Sequence, residues 1–555
     1  MMKHNKLIKI VGVSCLLLVG LTSCEDFLTK DHPTETTDEN FWKTMNECEN
    51  ALGQCKSWFK AGYGGENLSL IPLEGATDNM YFFSNYEQRI VMLGNGSLVP
   101  PTDTNAPSNW EHTFNAWKNY YTKIRRCCRF LEHVDAAYFS DESERTRMKA
   151  EAKMWRAWYH LLLLKWYGRH DGIPIVDKAL KPTEIYMERN TVEECLTFLN
   201  KEFDEVLQIQ DDKAFPFLWD DGRRDRMSKA VTLCMKMDIN LQFKKYDIAK
   251  DAAKKLIDSG LFELYYAPNG ENNPGANYRG LFSYSGEQNK ERIFFAKDGA
   301  SDVWFRCLGT TLSGQGVAAP LKTLLDTYET IEGKTIQSLS AEERIEFEKN
   351  PLYKPRDPRL AASFILPGDS TSISNYTYTP FDESSSDYVA KTGASRSGYM
   401  IKKYIDENDR STGNGSLDLM LCRYAEVLLD YVECLVETGD WQNPDVEKYI
   451  NMIRHRAGMP NMDKNVYNTQ EKVRELYRRE RRVELCFEGK RYDDIRRWEI
   501  GKETMTGPAQ GAWNPNSGSF VLIENRNCTF PKYDSWPLPQ QEETVNPNIS
   551  QPTGW

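Results

Sequence analysis

Between positions 148 and 166, the apolar residues Met148, Ala152, Trp155, Tyr159, Leu162 and Trp166 recur in steps of four and three. That spacing draws one face of a helix. Met154, Ala157, Leu161 and Leu164 add a second stripe, so this helix is expected between two layers. Gly168 ends the pattern and Gly172-Ile173-Pro174 turns the chain. Residues 230–256 predict a helical hairpin whose second arm carries Tyr246, Ala249, Ala253 and Leu256. Small residues at that spacing fit the second helix of a tetratricopeptide repeat, although the Leu-Gly pair of the first helix is absent. A third hairpin starts on the stripe Leu421, Tyr424, Leu428, Tyr431 and Leu435. It breaks at Gly439-Asp440 and resumes over 444–456. A fourth hairpin starts near Thr469 and reaches Trp498. The expected class is mainly α with few short strands.

Residues 62–110 and 265–415 lack such periodicity and are rich in Gly, Asn, Ser, Pro and aromatics. Long irregular segments on a helical frame are places for binding sites. Their aromatic content argues against disorder. The chain has 555 residues, 27% of them charged and 40% hydrophobic, an ordinary globular mix. A net charge of −11 without a basic block argues against nucleic acid as a partner.

Lys3, Lys6 and Lys9 precede an apolar run over 10–20, which closes on Leu21-Thr22-Ser23-Cys24. The run has the length of a signal-peptide core. Leu, two small residues and Cys directly after it resemble a bacterial lipobox. That implies cleavage before Cys24 and anchoring to outer-membrane lipid through acylated Cys24. Residues 1–23 are read as the signal peptide. Glu25 and Asp26 resemble the surface-export signal of Bacteroidetes lipoproteins, placing the chain on the outer membrane and facing the exterior. Of 13 cysteines, 11 follow Cys24. An odd, scattered set without C-x-x-C reads as free core thiols, not as a disulfide framework or a metal site.

The segment ELYRRERRVELCFEGKRYDDIRRW, residues 475–498, resembles the SusD/RagB family of Bacteroidetes outer-membrane nutrient-binding lipoproteins. In order along the chain, the resemblance extends to Cys24–Leu28 with Pro33, to Asn40-Phe41-Trp42 and to Arg156-Ala157-Trp158-Tyr159 with Gly172-Ile173-Pro174. It continues through Arg423-Tyr424-Ala425-Glu426, then Trp536-Pro537-Leu538-Pro539 and Asn546-Pro547-Asn548. It implies a SusD-like fold of four tetratricopeptide-like helix pairs carrying long irregular insertions. It implies one large domain over 24–555, with an N-terminal part (24–220) and a C-terminal part (221–555). It also implies a non-enzymatic lid that binds an oligosaccharide or polysaccharide and delivers it to a SusC-like TonB-dependent transporter. The alternative is the peptide-binding lid of a RagAB-like oligopeptide transporter. No cofactor is implied.

Glycan recognition needs ring faces for stacking and polar forks for hydroxyls. The resemblance implies a ligand shelf built from two regions, one after the first helix and one after the third repeat. In the first, Asp78, Asn79, Tyr81 and Trp110 are the candidates; in the second, Tyr278, Tyr284, Trp304 and Arg306. Arg396 and Tyr399 are added from the loop before Lys402. Phe82, Phe83 and Phe305 are expected in the core. Other chemistries fail on spacing. Gly333-Lys334-Thr335 lacks the earlier glycine of a phosphate loop, since Tyr328 stands there, and no G-x-S-x-G turn occurs. The cluster Arg478–Arg482 looks like a polyanion site, but Glu480 lies on the stripe of Val473, Leu476, Val483 and Phe487. It is therefore expected to face the core and pair with neighbouring arginines.

Overall fold

In the computed structural model, the described residues are 41–56, 70–83, 88–101 and 116–555. Cys24, the signal segment and Trp110 lie outside them. The frame begins with α1 (Met45–Cys55), capped by a reciprocal pair: Thr44 Oγ1 accepts from the Glu47 amide, and the Glu47 carboxylate accepts from the Thr44 amide. Next come α2 (Ala116–His133), α3 (Glu142–Tyr167) and α4 (Val192–Leu207). Then follow α5 (Lys229–Gln242), α6 (Tyr246–Asp258), α7 (Tyr424–Glu437), α8 (Pro444–Arg456), α9 (Gln470–Glu484) and α10 (Arg491–Arg497). Each of α2 to α7 packs on the helix before it, and α7 also packs on α8 and α9. This gives a continuous stack of antiparallel helices.

The doubly apolar α3 is the buried plank of that stack; from Ala150 to Gly168 only Lys153 is not buried. Ala249 of α6 is fully buried against Leu241 of α5 and Cys434 of α7, so the small side chain lets three helices meet. One boundary departs from the sequence pattern. Leu421 belongs to a strand, and α7 begins only at Tyr424. The fourth hairpin, expected from Thr469 to Trp498, is the pair α9 and α10. Phe487 (φ 61°) and Gly489 (φ 74°) adopt the left-handed conformation between them and fold α10 back.

Short strands knit the irregular segments together. β1 (Ala76–Thr77), β2 (Met80–Phe82) and β4 (Ala318–Pro320) form an antiparallel sheet in the order β1-β2-β4. β3 (Arg292–Ala296) pairs with β7 (Leu419–Arg423), and β5 (Phe364–Ile365) with β6 (Met400–Ile401). β8 (Thr506–Asn514) and β9 (Ser519–Asn527) make a hairpin. The C-terminal tail closes on the frame: Trp536 stacks on Trp166 at 4.9 Å and donates from Nε1 to the Tyr492 hydroxyl.

The arginine cluster faces inward. Glu480 is 2% exposed and accepts from Arg359 and Arg454. Arg423, fully buried, donates to the carboxylates of Glu291, Glu484 and Glu488 and to the Glu484 carbonyl. Arg359 and Arg456 reach Glu484 from other sides. Burial alone would raise the Glu484 carboxyl, but Arg456, Arg423 and Arg359 outweigh it and hold it well below the usual range. The network joins the third helix pair to α9, and through Asp357 and Glu291 to the irregular segments.

Candidate functional site

β2 alternates as a half-buried strand should. Met80 and Phe82 enter the main core, whereas Tyr81 packs with Ala319, Leu321 and Ala509 in a small second cluster. Phe83 continues the Tyr81 face, packs on that cluster and is half-buried. Its amide donates to the Val317 carbonyl at 2.8 Å, which fixes the ring beside the edge of β4. An open groove of about 430 Å³ lies over it, walled by residues 389–394 and lined by Gln315, Lys391 and Arg396. Arg396 is exposed and holds its guanidinium 3.6 Å from the centre of the Phe83 ring.

Glycine sets the groove's shape. Gly316 has φ 56°, and a Cβ there would come within 2.6 Å of the Ala394 carbonyl carbon. The β4 approach and the 393–395 loop therefore touch backbone to backbone. Gly393 (φ 82°) lies against a side chain, the Thr310 hydroxyl. Behind the loop, the Ala512 amide donates to the Ser397 carbonyl at 2.7 Å, docking β8. Arg526 of β9, 5% exposed, donates to the Thr77 and Met80 carbonyls and ties the hairpin to the sheet.

Of the ten expected ligand residues, Trp110 lies outside the described residues and the other nine separate into three sets. Arg396 lines the groove. Arg306 stands behind it: Nη1 donates to Gln315 Oε1 at 2.9 Å and so orients a lining amide. Tyr81 lies in the apolar cluster under Phe83, with only 9% of its surface open. The second set is internal. Trp304 is 1% exposed and its Nε1 donates to the Leu312 carbonyl, because Val303, Trp304 and Cys307 form the inner face of a short helix. A ring so placed offers no face to a sugar. Phe305 and Arg306 occupy the outer face, so Phe305, like Phe83, is not a core residue. Tyr278 is fully buried, donating to the Glu484 carbonyl and accepting from Lys403. Tyr399 is 1% exposed, beneath Ser395 and Ser397.

Asp78 and Asn79 are also structural in their contacts. Asp78 accepts two bonds from Arg491 and pairs with Arg482, and Asn79 bridges Arg482 and Glu74. Burial would raise Asp78, but Arg482 and Arg491 hold its carboxyl down to about 2. The third set is remote. The Tyr284 hydroxyl donates to Asp409 and accepts from the Ser416 amide, away from the groove lining. Gln315 and Lys391 line the groove without having been singled out in the sequence. Only the glycine-flanked loop around them carries a signal, and it is a weak one.

The groove thus offers a guanidinium fork, a held carboxamide, an ammonium and an aromatic edge, all open to water. Such a set hydrogen-bonds to a polyol. Among the described residues, no group of His, Cys, Asp and Glu is arranged to hold a metal ion.

Comparison with known proteins agrees with this architecture. A family model described as the SusD family matches residues 260–555, and one described as starch-binding associating with outer membrane matches 29–209. The chain belongs to the SusD family, a family of carbohydrate-binding proteins associated with the outer membrane. A SusD-like protein of Formosa agariphila is 22% identical over 542 residues, 92% of this chain and 95% of that one. A solved SusD-like carbohydrate binding protein from Bacteroides fragilis superposes with a TM-score of 0.76 at 25% identity, covering 92% of this chain and all of that one. Surface glycan-binding protein A from Bacteroides thetaiotaomicron, solved with laminarihexaose, shares the fold at a TM-score of 0.64 and 19% identity, covering 93% and 99%.

Proposed function

We propose that the groove over Phe83 binds an oligosaccharide and that the protein delivers it to a SusC-like TonB-dependent transporter without making or breaking a bond. The observation that carries the reading is the exposed Arg396 guanidinium, seated on the Phe83 ring beside the Arg306-held Gln315. Family membership and the laminarihexaose-bound neighbour support a glycan as the cargo. Affinity is modest, because few polar groups converge and the groove is open to water.

In this reading Cys24 carries the acyl anchor and the protein sits on the exterior of the outer membrane. The parts 24–220 and 221–555 act as one body. Supporting this, Asp78 bonds Arg491, Arg526 bonds the Thr77 carbonyl and Trp166 stacks on Trp536, each across the division. The test is a calorimetric panel of neutral and acidic oligosaccharides against residues 25–555, with a peptide pool alongside. Saturable binding of one glycan class is expected. Binding of peptides alone would replace this reading with that of a peptide-uptake lid.

A further inference from the structure

Cys234 and Cys422 stand 188 residues apart, yet their sulfurs lie 2.8 Å from each other. Cys234 is in the middle of α5, and Cys422 is on β7 opposite Phe294 of β3. Both are buried, at 3% and 5% exposure. The separation is shorter than the roughly 3.5–4.0 Å at which non-bonded heavy atoms rest. It exceeds a sulfur–sulfur bond, about 2.05 Å, by less than about 1 Å. As two thiols the pair is crowded, and closing the gap relieves the crowding. A cavity of about 60 Å³, lined by both cysteines and by Trp158, Met235 and Leu421, leaves the side chains room to turn.

We propose that Cys234 and Cys422 form a disulfide that staples the helix stack to the β3–β7 ladder. The chemistry is thiol–disulfide exchange with an oxidised dithiol. One cysteine attacks the oxidant's disulfide, forming a mixed disulfide and releasing one thiol. The second cysteine then attacks the mixed disulfide, closing the Sγ–Sγ bond and releasing the other thiol. The protein loses two protons and two electrons, and the oxidant gains them. Burial pushes the Cys422 thiol well above its ordinary range, so the thiolate is scarce in the folded protein. The bond therefore forms during folding or local opening, and once formed it resists reductant until the chain opens. A cross-link enclosing so long a loop removes much freedom from the unfolded chain. Cys55 and Cys127 are a second pair of neighbouring thiols and serve as the internal control. Unlike the proposed pair, the Cys55 thiol already has a backbone acceptor, the Ala51 carbonyl.

The test equilibrates the purified full chain with oxidised and reduced glutathione, at denaturant concentrations up to the unfolding midpoint. The protein is then alkylated in full denaturant and its peptides are mapped without reduction. A linked Cys234–Cys422 peptide is expected, with the other nine of the eleven described cysteines alkylated. Excess reductant should leave that link intact in native buffer and remove it in denaturant. Cys234→Ala should leave Cys422 alkylated and lower the melting temperature measured under oxidising conditions. Full alkylation of both cysteines in the wild type would overturn the proposal. So would a bond from either one to another partner, or a bond only between Cys55 and Cys127.

Discussion

Arg423 and Arg396 each rest against a phenylalanine: Arg423 lies 5.5 Å from the Phe282 ring and Arg396 3.6 Å from the Phe83 ring. Arg423 is fully buried and neutralised from three sides by Glu291, Glu484 and Glu488. Arg396 is exposed over an open groove. One guanidinium is thereby fixed in place within the frame, while the other keeps donors for something outside the protein. The difference is set by the surroundings, not by the residue type. The end of α9, the turn that follows it and the residue before β3 supply the carboxylates that enclose the first. The second stands on a loop whose shape depends on close backbone contact at Gly316.

The largest effect is expected in the frame. Arg423→Ala removes the guanidinium that three buried carboxylates share and should cost about 3–5 kcal/mol or more, with loss of soluble folded protein. Thermal unfolding and yield check it. Trp304→Ala empties a core site and should cost about 3–5 kcal/mol. If Trp304 were a sugar platform, glycan affinity would fall more than the melting temperature implies; the structure predicts that the loss tracks stability.

A pH test follows from Asp78. Its carboxyl is held down to about 2, below the ordinary 3.8 of an aspartate, so its stabilising share is complete above that ordinary value. The share is lost as pH falls towards 2, a loss of about 2 kcal/mol. Denaturant titrations between pH 5 and pH 2 should show this loss, and Asp78→Asn should flatten it. Gly316→Ala should cost about 1 kcal/mol or more through its left-handed backbone and its contact with Ala394. It should weaken ligand binding at the same time, because it displaces the groove wall. Equilibrium unfolding and calorimetry on the same variant measure both.

The frame was legible in the sequence because its logic is local. The 4-3-4 steps from Met148 to Trp166 mark α3, and the place of Glu480 among Val473, Leu476 and Val483 marks a charge turned inward. The position of the break at Phe487 was not legible, since a phenylalanine with positive φ leaves no compositional sign. The groove was legible only in part. Arg396 was among the candidates, but the 389–394 wall was not, and Phe83 was expected in the core. Which aromatics face outward, however, depends on strand pairing between residues more than 200 positions apart, as in Phe82↔Ala318. An Asp-Asn pair followed by aromatics, such as Asp78 to Phe83, suits a sugar site and an internal salt bridge equally well. Only Arg482 and Arg491, brought in by the fold, decide between them.

The most direct measurement pairs glycan affinity with melting temperature for Arg396→Ala. The residue is exposed, so its loss should change stability by less than about 0.5 kcal/mol. Loss of its hydrogen bonds to a bound sugar should weaken binding about tenfold or more. An unchanged melting temperature with affinity lost is the predicted result. Affinity retained in full, for a glycan that binds the wild type, would contradict the placement of the site in this groove.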